Sequence, residues 1–342
     1  MMENNIISDH FTVEELKKLK ITPTDVKMYK KIRSNWDSVA KPLDGMGDFE
    51  LLTAKIGAVL GDENIDISKK AVIMMCADNG VVAEGISQSG QEVTLAVAKS
   101  MARKASSVGR MAMTAGVDTI PVDIGINSDE SVKGLLQRKV RMGTRNFAKE
   151  PAMTRTETLE AIAAGIEIVR GCKADGCRII ATGEMGIGNT TTSAAMAAAM
   201  LRCDVATVTG IWYNAPPIHT PTSPAISSPP TVISISNVSL LYKSYFSIAL
   251  SITRIFLSSP LSFRPAPLPV TDFIIPSHEG REPAVALLCE ALSVRPVIRA
   301  SLALGEGTGA VMMFALLDMA LSVYKGRTTF DDISVSQYER YV

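Results

Sequence analysis

The sequence predicts an α/β fold built on a Rossmann-like, mostly parallel, doubly wound sheet flanked by helices. One continuous apolar run at 71–77 and two further strand-like runs at 118–124 and 178–182 are each followed by a glycine-bearing turn, and segments with helical spacing lie between them. A wholly apolar run that short reads as a strand buried on both faces. Strands that alternate with helices need crossover connections, which give parallel neighbours.

Each element has its own signal. Thr12 to Leu19 opens with Thr12-Val13-Glu14-Glu15, a capping pattern for a helix start. A second helix is expected over Thr22 to Ile32, started by Pro23. AVIMMCA at 71–77 is the first strand, closed by Asp78-Asn79-Gly80, and Val93, Ala96, Val97 and Met101 mark a helix over 91–105. DTIPVDI (118–124), closed by Gly125, is the second strand, and RIIAT (178–182) is the third, with a helix over 190–201 behind it. Orderly α/β sequence resumes at Phe273 with helices at 283–293 and 311–324 and a short amphipathic tail.

Composition removes several function classes. Lys plus Arg and Asp plus Glu are both 35, so no net charge steers the chain onto nucleic acid or an anionic membrane. None of the five cysteines forms a CxxC pair, and His10, His219 and His278 lack zinc-ligand spacing, so no metal site is expected. Cys76, Cys172, Cys177, Cys203 and Cys289 read as small hydrophobes of a reducing cytoplasm. The start MMENNIISDHF lacks a basic region followed by an apolar one and is not a signal peptide.

One stretch departs from this pattern. Residues 211–271 contain no Asp, Glu or Gly but hold ten of the 17 prolines among many serines. A disordered Pro-rich insert, a membrane segment in 231–258 and an out-of-frame translation are the three readings. Lys243 and Arg254 break the apolar run and leave too short a span for a bilayer.

Three stretches could carry chemistry. ATGEMGIGNTTTS (181–193) lies between strand and helix; Gly183, Gly186 and Gly188 allow a close backbone approach, and Asn189, Thr190 and Thr191 stand at a helix start whose N–H groups favour an anion. It matches neither nucleotide fingerprint, so it reads as a phosphate or ribose cradle or as a plain tight connection. In LGEGTGAV (304–311), Glu306 stands between Gly305 and Gly307. In an apolar cleft its carboxyl would gain basicity; otherwise it is a helix-start glutamate that complements the dipole. In CADNGVVAEGISQSGQEVT (76–94), Asp78 ends a strand at the edge where open α/β sheets bind ligands, and Ser89 and Gln91 sit on the loop beyond it. Turn chemistry and solvated loop polarity explain the same residues.

These stretches, together with KPLDGMGDFELL (41–52), VDIGI (122–126), RMGTRNFAKEPAMTRTE (141–157) and IPSHEGREPA (275–284), resemble the nicotinate-nucleotide:dimethylbenzimidazole phosphoribosyltransferases of cobalamin assembly. The resemblance covers about 10–210 and 273–342. It implies transfer of phosphoribose from nicotinate mononucleotide to 5,6-dimethylbenzimidazole or a related base, giving α-ribazole 5′-phosphate and nicotinate. It also implies a cytoplasmic homodimer with no cofactor. By resemblance Glu306 is the general base and Glu184 contacts the reacting sugar. Glu184 to Thr191 then hold the ribose phosphate, and the loop at 87–91 borders the base pocket.

The implied layout is N-terminal helices at 1–40 forming a small domain with part of the C-terminal region, a catalytic α/β unit at 41–208, the atypical 209–272, and 273–342 with Glu306 and C-terminal helices. Where many relatives have Asp-His-Gly, this chain has Asp78-Asn79-Gly80, and PLDGMG replaces the common PPGSLG. The family's Arg-Gly-Ala-Gly, Gly-Gly-Phe-Asp-Ile-Ala-Gly and Val-Ile-Asp-Gly-Phe motifs are missing after Gly210, although the total length suits the family. That pattern favours a compensated frame error. The alternative reading is therefore a catalytically impaired relative that only binds nucleotide or base and folds poorly.

Overall fold

The computed structural model describes residues 11–19, 22–209 and 271–340. The three readings of 211–271 thus fall almost wholly outside the described residues.

Two helices open the chain, α1 (Val13–Lys18) and α2 (Val26–Asp37). Thr12 caps α1 in the expected box with Glu15. The second helix starts later than Pro23 predicts, because the Asp25 side chain accepts from the N–H groups of Lys27 and Met28 and fixes the start there. A helix that the sequence patterns leave unmarked follows, α3 (Asp48–Leu60), stopped by Gly61 at φ 69°.

The sheet comes next. Strand β1 (Lys70–Ala77) leads through α4 (Glu92–Ala102) and α5 (Ser107–Thr114) to β2 (Asp118–Gly125) and the short β3 (Leu136–Gln137). Helix α6 (Arg155–Ala174), also unmarked in the sequence, returns the chain to β4 (Ile179–Met185), followed by α7 (Asn189–Leu201) and α8 (Val205–Val208). The strand order is β3-β2-β1-β4 and every pairing is parallel, as expected.

Side chains of β1 alternate between two cores. Val72, Met74 and Cys76 pack with Ile32 and Trp36 of α2, Met101, Val108 and Leu317, while Ala71, Ile73 and Ala77 pack with Val122, Ile124 and the α6 residues Ala164, Ile168 and Cys172. The period of two therefore sorts one strand's residues into two helical layers. Among the described residues strand β4 is at the edge, and it buries only Ala181.

The chain resumes with β5 (His278–Gly280), α9 (Pro283–Ala291), β6 (Ile298–Leu302) and α10 (Thr308–Gly326). Among the described residues α10 alone is long and apolar enough to cross a membrane, but it is a core helix here: Val311, Met313, Phe314, Leu317, Leu321 and Tyr324 are buried. Tyr324 stacks on Trp36 at 5.2 Å, and Val39 bridges Thr329, so the two ends of the chain share the main core. The expected amphipathic tail is an exposed, mostly irregular segment. Arg340 fastens it to Asp37 and Asp44, at 2.8 Å each.

Three cysteines, Cys76, Cys172 and Cys177, are buried and two are half-buried. Asp37, Asp44 and Glu50 lie close enough to share a cation, but Arg33, Lys41 and Arg340 already neutralise them.

Helix α6 owes its start to Thr154 and Glu157, a reciprocal capping box. Glu157 also accepts two bonds from Arg145, at 2.9 and 3.1 Å. Burial alone would raise its carboxyl, yet Arg145 and the Thr154 N–H and hydroxyl hold it down at about 2. Its stabilisation is complete above the ordinary glutamate value of 4.5 and fades as pH falls towards about 2. Glu157→Gln should cost about 1–2 kcal/mol at neutral pH. Urea melts of wild type and variant should differ at pH 7 and converge in acid; equal stability at pH 7 would contradict the assignment.

Candidate active site

The parallel strands β1, β2 and β4 all end at one edge, and most of the predicted residues gather there. Register places Cys76 beside Met185 and Ala77 beside Gly125. Asp78 and Asn79, directly after β1, are buried to 1% and 0% exposure. In an open parallel sheet this edge is the ligand edge.

Asn79 organises the glycine-bearing loop. Its Nδ2 donates to the Ile187 carbonyl at 2.6 Å, and its Oδ1 accepts from the Thr192 hydroxyl at 2.8 Å. Thr94 of α4 supports the same loop by accepting from Ile187 N at 3.2 Å. Gly188, at φ 83°, caps α7, and a Cβ there would meet Val82 at 2.8 Å and Asn79 at 3.3 Å. Only a residue without a side chain fits that left-handed, crowded position. Gly186 is buried and accepts from Asn189 N at 3.0 Å. Thr190 donates its N–H to Asn189 Oδ1 at 2.8 Å, and Thr191 is half-buried beside it in the first turn of α7.

The glycines do not all serve one purpose. Gly183 was expected in a turning loop, but β4 runs on through Met185, so Gly183 and Glu184 are strand residues. The polar Glu184 ends the apolar run without ending the strand. Gly183 matters because a Cβ there would overlap the Glu306 carbonyl and stand 2.8 Å from Gly307 N. The sheet and the 305–307 turn therefore touch backbone to backbone.

That turn carries three successive positive φ angles: Gly305 at 79°, Glu306 at 59° and Gly307 at 90°. The two glycines accept such angles freely, but at Glu306 the conformation costs about 1–2 kcal/mol. The turn is held by Thr308, whose hydroxyl donates to the Gly305 carbonyl at 2.8 Å, and by the packing of Gly307 against Val72 and Gly183. Local strain maintained by surrounding structure is a mark of functional positions. Glu184 Oε1 borders the same turn and accepts from Asn189 Nδ2 at 2.5 Å, which links it to α7.

Electrostatically, Glu306 is the unusual group. Its Oε2 is buried and has no hydrogen-bond partner among the described residues. Burial pushes its carboxyl above the ordinary 4.5, and the Val108 N–H at the start of α5 only partly opposes this. A carboxylate in that condition is a stronger base than one in water. The sign for stability follows directly. A raised carboxyl favours the folded state while protonated, so ionised Glu306 opposes folding as pH climbs past 4.5. Glu306→Gln should raise the midpoint of thermal unfolding at neutral pH, with the gain shrinking below pH 4.5. An unchanged or lowered midpoint at neutral pH would contradict the desolvated carboxylate.

Of the remaining predicted residues, Asp78 uses Oδ2 to accept from Asn127 N at 2.8 Å, while its buried Oδ1 has no partner among the described residues. Gln91 Nε2 donates to the Asn79 carbonyl at 3.1 Å, and its Oε1 accepts from Asn127 Nδ2 at 3.2 Å. Ser89 is exposed, its N–H held by Ser87 at 3.2 Å, and no hydrogen bond among the described residues joins it to the others. Two neighbours were not anticipated. Asn127 lies one residue past the matched stretch VDIGI, and His278 lies in a matched stretch without a role. The His278 ring lies where a Cβ on Gly309 would be, against the first turn of α10, and burial lowers its imidazole despite Glu282.

Comparison with known proteins agrees with this geometry. The phosphoribosyltransferase family model DBI_PRT matches residues 21–212 and 263–335. A nicotinate-nucleotide–dimethylbenzimidazole phosphoribosyltransferase of Acetivibrio thermocellus is 34% identical over 355 residues, covering 97% of this chain and 99% of that protein. One from Clostridium acetobutylicum is 33% identical, covering 93% and 97%. A crystal structure of the Thermus thermophilus enzyme of the same name superposes with a TM-score of 0.74 at 28% identity, covering 92% of this chain and 100% of that one.

Proposed function

This chain belongs to the nicotinate-nucleotide–dimethylbenzimidazole phosphoribosyltransferase family, and from that premise we propose that Glu306 is the general base of the reaction. The chain is an enzyme that transfers phosphoribose from nicotinate mononucleotide to 5,6-dimethylbenzimidazole, giving α-ribazole 5′-phosphate and nicotinate for the lower ligand of cobalamin. A ring nitrogen of the base attacks C1′ from the face opposite nicotinate, the C1′–nicotinate bond breaks with its electron pair, and the β linkage becomes α. The benzimidazole N–H proton passes to a Glu306 oxygen. Nicotinate is already a good leaving group as a cationic ring, so positioning and one base carry the chemistry. The observation that supports this reading is the buried Oε2 of Glu306, unpartnered on a strained turn beside the end of β4.

Gly183 to Thr191 would hold the ribose phosphate, with the first turn of α7 as the anion site and Glu184 against the sugar. Asp78 and Gln91 would line the base side, with Ser89 at its rim. The contacts of α2 with α10 and the tail support a small domain built from both termini, alongside a catalytic unit over 41–208 and 273–342. A cytoplasmic homodimer is the assembly that suits a biosynthetic enzyme of this family.

The comparisons do not favour the impaired alternative that the missing motifs after Gly210 raise: a relative aligns over 97% of the chain. The direct test incubates purified protein with nicotinate mononucleotide and 5,6-dimethylbenzimidazole. The expected result is equimolar nicotinate and α-ribazole 5′-phosphate, the α anomer identified by NMR. Calorimetric binding of nicotinate mononucleotide without product would instead support the impaired reading.

A further inference from the structure

We propose that Asn127 is a positioning residue for the base-binding side of the site, acting by fixing which way the Gln91 amide faces. This rests on the phosphoribosyltransferase reading above and adds a residue to it.

A glutamine amide has two nearly isosteric orientations that exchange a donor for an acceptor, so its neighbours decide which one a ligand meets. Both neighbours of Gln91 agree. The Asn79 carbonyl can only accept, and it takes the Gln91 Nε2 proton at 3.1 Å. Asn127 presents its Nδ2 donor to Gln91 Oε1 at 3.2 Å. Turning Gln91 over would set oxygen against oxygen at the Asn79 carbonyl, which cannot reverse, so that end selects the orientation and the Asn127 donor holds it. The Asn127 backbone is fixed beside it, since its N–H donates to the buried Asp78 Oδ2 at 2.8 Å.

The relay has a second end. Asn79, which receives Gln91, also holds the glycine loop through Ile187 and Thr192. The end of β2, the end of β1 and the β4–α7 loop are thereby linked by amides, with Gln91 at the middle. Asn127 is the exposed member, so changing it tests the relay without opening the core. One remaining donor and one remaining acceptor direction of Gln91 are left with fixed polarity for a heterocyclic base.

The experiment measures steady-state constants for Asn127→Ala and for the isosteric Asn127→Asp, with thermal melts as a check on folding. Removing the donor frees the amide, so Asn127→Ala should raise KM for 5,6-dimethylbenzimidazole about three- to tenfold. An aspartate puts an acceptor where Gln91 Oε1 now points, so Asn127→Asp should raise that KM further. In both variants kcat and KM for nicotinate mononucleotide should stay within twofold. A merely structural residue would shift both KM values together with the melting point, and that result would overturn the proposal. Base KM within twofold of wild type in both variants would overturn it as well. A wild-type chain that neither turns over nor binds the base in calorimetry would instead overturn the functional reading beneath it.

Discussion

Glu306→Gln lowers the rate of α-ribazole 5′-phosphate formation by about 10²–10⁴-fold, the range expected when a positioned general base is lost. Glutamine keeps the shape of the side chain and the 59° φ of the turn is a backbone property, so the fold should survive the change. Because the variant also relieves a desolvated charge, lost turnover should coincide with increased stability at neutral pH. That pairing separates a chemical role from a structural one. A stabilising group lost from a core lowers both quantities; a base held in an unfavourable setting trades one for the other. In wild type, activity should rise with pH through an apparent ionisation above the ordinary 4.5, the direction burial imposes on Glu306.

Gly183→Ala should be nearly as damaging, although its side chain is a single methyl remote from any proton transfer. Its Cβ would overlap the Glu306 carbonyl, which is backbone and cannot rotate away. Either β4 or the 305–307 turn must shift by something on the order of an ångström, and misplacement on that scale costs roughly 10²-fold in rate. Overpacking also destabilises by about 1–3 kcal/mol. The expected outcome is a folded protein, by circular dichroism and a cooperative melt, with kcat reduced about a hundredfold. Wild-type kcat in Gly183→Ala would mean that the strand and the turn do not set the position of the base.

How much of this was legible in the sequence depended on how each signal is made. Strand β1 was legible because a strand covered on both faces has nowhere to put a polar side chain, so AVIMMCA is an unbroken apolar run, whereas β2 starts exposed at Asp118 and its buried Asp123 is paired with Lys139. Strand β4 was legible only as far as Thr182: Gly183 and Glu184 break the run, yet parallel pairing with Met74 and Met75 keeps them in the strand. Helix α6 hides behind alanine and glycine, whose small side chains bury little and give a weak periodic signal. Its capping box, Thr154 with Glu157, was the feature that could have revealed it.

The site was legible in the same uneven way. A lone glutamate between two glycines stood out in the sequence, and Glu306 does sit on a strained, desolvated turn. The partner that makes the turn work, Gly183, is 123 positions away and was read as turn chemistry instead. Asn127 was invisible because its role depends on a contact with Gln91, 36 residues earlier, that local pattern does not encode.

If Glu306 takes a proton from the attacking heterocycle, the effect of losing the carboxylate must depend on whether that proton is present. Wild type and Glu306→Gln are each assayed with 5,6-dimethylbenzimidazole and with its N1-methyl analogue, which has a nucleophilic nitrogen but no ring proton to lose. The expected rate ratio is about 10²–10⁴ for the first base and near one for the second. An equally large ratio for both bases would contradict it, because the carboxylate would then be acting on something other than that proton.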